Sequence, residues 1–107
     1  MVYSKKEIKL LIEDYFNEFI IINVTLNNKD LLGKLKSGKL KIGPLKNFFQ
    51  YSKTKVKDFP GDVLKDIGIL NNIVDELNII LINKELLQDI NRIKKLYNKA
   101  RKIIYER

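Results

Sequence analysis

The sequence contains no histidine, cysteine or tryptophan among its 107 residues. Without cysteine or histidine the chain cannot form a disulfide, a zinc site of the usual ligands, a haem site with a histidine ligand, or a nucleophile activated by an imidazole. The carboxylates do not replace these groups, because none has the flanking pattern of a metal site or of a glycosidase pair. Residues 33–38 also lack the Gly-Lys-Ser/Thr ending of a phosphate-binding loop. We therefore expect a binding protein that is not an enzyme and needs no cofactor.

Long apolar runs are missing as well. The longest uninterrupted ones are four residues, Phe19–Ile22 and Ile79–Ile82, whereas a helix that spans a bilayer needs roughly 20. The first residues lack the apolar stretch and the small-residue cleavage site of a secretory signal. We therefore expect no transmembrane segment and a cytoplasmic protein of a microbe, or of a virus or mobile element that infects one.

Acidic residues are missing from one stretch of the chain. The net charge of the whole sequence is +8, from 21 Lys and Arg against 13 Asp and Glu. Residues 1–30 carry a net charge of −1 and residues 58–107 carry +1, whereas residues 31–57 contain eight lysines and no acid. A segment whose charges have one sign either contacts an anion or forms a solvated face. Codon bias toward Ile, Asn and Lys explains the number of lysines but not this separation.

The N-terminal region has the features of an amphipathic helix. Ser4 is a good N-cap, and Glu7 three residues later completes a capping box. The apolar residues that follow recur at helical spacing, and they are Ile8, Leu11, Ile12, Tyr15, Phe16 and Phe19. This pattern predicts a helix over residues 4–18.

Residues 20–42 show a different period. Apolar and polar residues alternate over 20–26, and β-branched side chains are frequent there, which is typical of a strand. Turn residues at 27–30 and 37–38 separate two more alternating segments. With these turns, the apolar residues of three antiparallel strands share one face of a meander. The opposite face would then carry Lys34, Lys36, Lys39 and Lys41. The competing interpretation is a short helix over 28–36 that ends at Gly38.

The C-terminal half predicts a helical hairpin. Residues after Pro44 sit near helical spacing, which predicts a helix there with a strand as the alternative. A break follows at Phe59–Asp62, with Asp62 as a candidate N-cap. Two apolar seams of coiled-coil spacing follow, and they are out of phase with each other, which favours a turn around Asn83 with that residue capping the last helix. The seams are Val63, Ile67, Leu70, Val74, Leu77 and Leu81, then Leu86, Ile90, Ile93, Tyr97, Ala100 and Ile104.

These elements together predict an α+β fold: an N-terminal helix, a three-stranded antiparallel β-meander and a C-terminal helical hairpin. We expect one domain over residues 1–107, in which 1–60 form the helix and the basic meander and 61–107 form the hairpin. The alternative is an all-α helical bundle in which residues 19–42 are helix and loop.

Three functions fit this layout, ranked in the order given. The first is a nucleic-acid-associated or regulatory protein that contacts phosphates through a lysine-rich segment: Lys34, Lys36, Lys39, Lys41, Lys46, Lys53, Lys55 and Lys57. The second is an adaptor or inhibitor that binds an acidic protein surface or a second copy of itself. Its partner-helix seam would be Val63, Ile67, Leu70, Val74, Leu77, Leu86, Ile90, Ile93 and Tyr97. The third is a helical protein of the immunity type on an anionic membrane surface.

A second basic cluster lies near the C-terminus, and it contains all three arginines of the chain. Its members are Arg92, Lys94, Lys95, Lys99, Arg101, Lys102 and Arg107. Cations in the last turns of a helix complement the helix dipole, and we take this as the simpler explanation of the cluster. The competing interpretation is a basic helix that lies on a nucleic acid or on an anionic membrane.

Overall fold

The first helix begins where the sequence predicts, but it extends nine residues beyond its predicted end. The computed structural model describes residues 3–52, 56–83 and 85–106. In it, α1 spans Lys5–Asn27. The capping box is present: the Glu7 amide donates to Ser4 Oγ at 3.1 Å, and the Ser4 amide donates to Glu7 Oε1 at 3.4 Å. The predicted start is therefore confirmed, and the predicted end near residue 18 is wrong.

The β-meander is wrong, because the described residues contain no strand and residues 20–26 continue α1. The apolar stripe that begins in the first turns keeps its 4-3-4-3-4 spacing through Ile8, Ile12, Tyr15, Phe19, Ile22 and Leu26, and all six are buried. Ile20 and Val24, which the strand interpretation placed on the same face as Ile22, are exposed. Thr25 fits the helix because its hydroxyl donates to the Ile21 carbonyl at 2.8 Å. The fold is the all-helical alternative, not α+β.

A short second helix replaces the predicted second strand. Helix α2 spans Lys29–Ser37, and Asn28 caps it by accepting from the amides of Asp30 and Leu31. Gly38 ends the helix with φ 80°, a left-handed conformation that glycine adopts without a steric penalty. Leu35 packs into the core, while Leu31 and Leu32 are partly buried. Lys34, Lys36, Lys39 and Lys41 therefore do not share the face of a sheet.

The helix expected after Pro44 is largely wrong. Residues 41–47 have no regular structure, α3 is the single turn Phe48–Tyr51, and a 3₁₀ turn follows at Val56–Asp58. The backbone of this connecting segment, residues 39–47, bonds to side chains of the neighbouring helices instead. The Lys46 amide donates to Glu18 Oε2 at 3.3 Å, and Leu45 exchanges two hydrogen bonds with the Asn78 amide group.

The C-terminal hairpin is confirmed, and both of its predicted caps are wrong. Helix α4 spans Gly61–Ile82 and α5 spans Ile90–Tyr105. Pro60, not Asp62, occupies the N-cap position of α4. Asn83 ends α4, a 3₁₀ turn follows at Leu86–Gln88, and Asp89 caps α5 by accepting from the Arg92 amide at 3.1 Å.

The three long helices and the connecting segment form the four sides of a rod of 47 × 20 × 19 Å. Helix α5 packs against both α1 and α4. On the other side of the rod, Tyr15 of α1 contacts the rings of Phe48 and Tyr51, and α3 packs on α4. All the buried apolar residues form one cluster along the axis. The segment after Gly38 thus takes the place that a fourth long helix has in an ordinary four-helix bundle.

Candidate functional site

The lysines of the predicted binding segment lie along the whole rod rather than in one patch. Lys53 and Lys55 lie outside the described residues. The other six are exposed: Lys34 and Lys36 on α2, Lys39, Lys41 and Lys46 on the connecting segment, and Lys57 in the 3₁₀ turn.

The two ends of this set are far apart. Phe59 packs edge-on against Tyr3, with ring centroids 4.9 Å apart, so Lys57 lies near the start of α1. Helix α2 follows the other end of α1, which is 23 residues or about 34 Å long. Lys46 lies between them, where its amide bonds to Glu18, and its positive charge partly offsets the rise in the Glu18 pKa that burial causes. A single small ligand therefore cannot contact all six.

The predicted partner-helix seam forms the core of the chain itself. Ile90 is partly buried, Leu86 is exposed, and the other seven are buried: Val63, Ile67, Leu70, Val74, Leu77, Ile93 and Tyr97. They pack where α4 and α5 meet each other and α1. A partner helix would reach them only if α4 and α5 separated.

The densest positive surface is the outer face of α5. The helix carries six cations and no acid: Arg92, Lys94, Lys95, Lys99, Arg101 and Lys102. All six are exposed, because the helix turns Ile93, Tyr97, Ala100 and Ile104 into the core. Four of them follow one another at 3-4-3 spacing, and we call Arg92, Lys95, Lys99 and Lys102 the basic row. Neighbours at this spacing have Cβ atoms about 5–6 Å apart, so the row covers about 15 Å of one helix face.

Few of these cations are neutralised by the protein. Arg92 Nη2 lies 3.7 Å from Glu76 Oε2, with both side chains about half exposed. For the other five, no carboxylate of the described residues lies within ion-pair distance. Five adjacent cations therefore repel one another at the surface, and a bound polyanion would relieve that repulsion.

The helix dipole does not explain the cluster. Arg92 is the third residue of α5, and Lys94 and Lys95 follow within the next turn. Positive charges there face the partially positive N-terminus of the helix, which disfavours them, whereas Lys102 in the last turn is favoured. The simpler explanation of the cluster thus accounts for its C-terminal members only.

Other kinds of site find no support in the described part of the chain. It has no group of three or more acidic side chains placed to hold a metal ion. None of its helices combines the length and the apolar character needed to cross a membrane. Searches against protein-family models, curated proteins and solved structures find no match to this chain.

Proposed function

We propose that this protein binds nucleic acid through its phosphates, and that the outer face of α5 is the principal contact. The observation that carries the proposal is the rigid helix with six exposed cations, no acid and one ion pair among the described residues. Helix α5 is anchored by four buried side chains along its length, so the backbone positions of its cations are fixed before a ligand binds, and only their side chains have to be ordered.

The spacing of the basic row fits a phosphate backbone. One strand of a duplex has a phosphate every 3.4 Å along the axis, so a row of about 15 Å faces about four phosphates. Each lysine that neutralises a phosphate releases condensed counterions, which favours binding at low salt. The guanidinium groups of Arg92 and Arg101 add paired hydrogen bonds to phosphate oxygens.

An anionic membrane fits this face less well. A helix that lies in a bilayer interface inserts its apolar side between the lipids. The apolar side of α5 is buried against α1 and α4, so apart from Tyr105 at its end the helix offers a membrane mainly charge. The exposed apolar residues at and beside the α4–α5 turn are Ile79, Ile82 and Leu86, which are 61%, 70% and 39% exposed, and a bilayer would insert these instead.

Two triple variants of equal charge test which basic surface makes the contact. In the first, Lys95→Gln, Lys99→Gln and Lys102→Gln neutralise the three lysines of the basic row while keeping good helix formers. In the second, Lys34→Gln, Lys36→Gln and Lys39→Gln remove the same charge from α2 and the residues after it. Affinity for a fluorescent 20-nucleotide oligonucleotide and for its duplex is measured by anisotropy between about 50 and 200 mM salt.

We expect the wild-type affinity to fall steeply with salt, and the α5 variant to lose both most of the affinity and about two to three units of the salt slope. The α2 variant should keep most of both. No binding at the lowest salt would overturn the proposal. It would also be overturned if the protein floated with anionic vesicles, lost this association in Ile82→Ser, and did not bind oligonucleotides. Equal losses in the two variants would refute the assignment to α5.

A further inference from the structure

A groove runs along the side of α5, between it and α1. Its volume is about 820 Å³, within the range of 300–1,000 Å³ that small-ligand sites occupy. Its apolar wall includes Phe16 of α1 and the buried ring of Tyr97. Arg101 and Lys102 line it as well, so the groove opens directly beside the basic row.

One aromatic ring that lines the groove is largely exposed. Tyr105 is 57% exposed although it lies in the last turn of α5. Its ring and that of Phe16 form a T-shaped pair, with the centroids 4.4 Å apart and the planes at 71°. The guanidinium carbon of Arg101 lies over the Tyr105 ring, 5.9 Å from its centroid. The ring is thus positioned by Phe16 and Arg101 while more than half of the residue faces solvent, and a base that stacks on it takes the exposed surface or displaces the guanidinium.

Two amide side chains face the groove from its opposite walls. Asn23 belongs to α1 and Asn98 to α5, and both are exposed. The Asn23 Oδ1 accepts from Asn27 Nδ2 at 2.9 Å, which fixes the orientation of the Asn23 amide. Among the described residues, the Asn23 NH₂ group and both ends of the Asn98 amide have no side-chain partner. Amides carry a donor and an acceptor together, which suits the edge of a base.

The charges around the groove favour an anion that carries a polar ring. Arg101 and Lys102 outnumber the single carboxylate at the rim, that of Glu106. Burial raises the pKa of the Tyr97 phenol, so this group stays neutral at physiological pH. Glu106 can accept a hydrogen bond from an exocyclic amino group, while the two cations face the phosphate beside the same base.

We propose that this groove holds one unpaired base of a single-stranded nucleic acid, stacked on Tyr105 and facing the amides of Asn23 and Asn98. The inference rests on the proposed contact between α5 and phosphates, and it adds the class of nucleic acid. The bases of a duplex are stacked and paired, so they cannot enter a groove at the side of a helix. A single strand can turn a base out of line and stack it on an aromatic ring.

The test compares a single-stranded 12-nucleotide probe with the duplex of the same sequence. Tyr105→Leu removes the ring and keeps an apolar side chain, and we expect it to weaken single-strand binding about tenfold while duplex binding stays unchanged. Tyr105→Phe should restore the wild-type affinity. Phe49→Leu is the matched control, since Phe49 is 47% exposed but lies outside the groove, in α3. A 2-aminopurine in the single strand should be quenched by the wild type and by Tyr105→Phe, but not by Tyr105→Leu.

The outcomes separate the two proposals. If neither probe binds at low salt, the phosphate contact itself fails, and the groove proposal fails with it. If both probes bind equally well and Tyr105→Leu changes neither, the phosphate contact stands and the groove is not a base site. If Phe49→Leu weakens binding as much as Tyr105→Leu, the stacking residue has been wrongly assigned.

Discussion

The asparagines on the inner side of α4 should decide whether the connecting segment stays in place. Asn71 is buried, and its Oδ1 accepts from the Phe48 amide at 2.9 Å. Phe48 is the first residue of α3 and is fully buried. In Asn71→Ala the Phe48 amide loses its partner at a site that water does not reach. The neighbouring Asn72 is exposed, so Asn72→Ala makes the same chemical change on the same helix without breaking this bond.

The size of the stability loss expected for Asn71→Ala follows from the burial of the Phe48 amide. A buried donor without a partner costs about 1–3 kcal/mol, and the shift from Asn to Ala returns roughly 0.6 kcal/mol of helix propensity in both variants. The propensity gain cancels in the comparison, so the difference between the two variants should be about 1–3 kcal/mol. For a domain of this size each kcal/mol shifts Tm by about 4–8 °C. Asn71→Ala should therefore melt at least 4 °C below Asn72→Ala.

Thermal and urea denaturation, followed by far-ultraviolet circular dichroism, measures this difference. Asn78→Ala extends the series, because Asn78 makes two bonds to Leu45 at 2.7 and 2.9 Å but lies at a half-buried site. Water can replace its amide there, so we expect a smaller loss than for Asn71→Ala despite the extra bond. Equal melting temperatures for Asn71→Ala and Asn72→Ala would refute the view that side chains of α4 hold the segment.

Three further substitutions test local features of the fold by the same melting experiment. The Tyr15 hydroxyl is buried and has no hydrogen-bond partner among the described residues, and burial raises the pKa of its phenol. Tyr15→Phe removes this unpaired hydroxyl, so it should leave Tm unchanged or raise it. A fall of several degrees would mean that the hydroxyl is bonded. Gly33 lies inside α2 with open space around its Cα, whereas Gly38 has φ 80°. Gly33→Ala should therefore stabilise the protein by about 0.5–1 kcal/mol. Gly38→Ala should destabilise it by about 1–2 kcal/mol. If Gly38→Ala were the more stable of the two variants, the assigned end of α2 would be contradicted.

Sequence patterns predicted the elements that depend on local chemistry. The capping box of Ser4 and Glu7 begins α1, and the two out-of-phase seams mark α4 and α5. The strand prediction for residues 20–26 was wrong because β-branched side chains favour strands only weakly. Packing of these residues as part of a long helix overrides that preference. The signal that distinguishes the two was present: Ile22 and Leu26 continue the seven-residue spacing of Ile12, Tyr15 and Phe19. A strand would break that stripe at residue 19.

The path of the connecting segment could not be predicted from local sequence patterns. The backbone of this segment and of Phe48, which directly follows it, bonds to Glu18, Asn71 and Asn78, which lie 23 to 33 residues away from their partners. No local periodicity reports such bonds. An indirect sign was nevertheless available at Asn71 and Asn78, because these two amides stand seven residues apart, directly beside the apolar seam of the helix. Polar residues repeated at helical spacing next to a seam indicate a backbone that needs partners.

Counting charge in sequence windows also hid the surface we consider most important. Residues 58–107 have a net charge of +1 because the six cations of α5 are offset by α4, with four acids and one lysine, and by a net charge of −2 outside the two helices. The two helices pack side by side but present different faces to solvent, and Arg92 of α5 forms an ion pair with Glu76 of α4 at 3.7 Å. A neutral window thus contains a strongly basic helix face. Assigning charge to helices rather than to windows would have ranked α5 above the lysine-rich segment.

The position of these charges also determines which of them one ligand experiences. Helix α5 and the connecting segment contact α1 and α4 from opposite sides of a rod that is 19–20 Å thick. The Debye length at physiological salt is about 8 Å, so a phosphate on α5 is screened from Lys46 across the bundle. The net charge of +8 therefore does not act as a whole on any one ligand. The salt slope of the wild type should correspond to the number of α5 cations that contact phosphate. A slope so steep that it requires all of the basic residues would mean that the nucleic acid wraps around the rod.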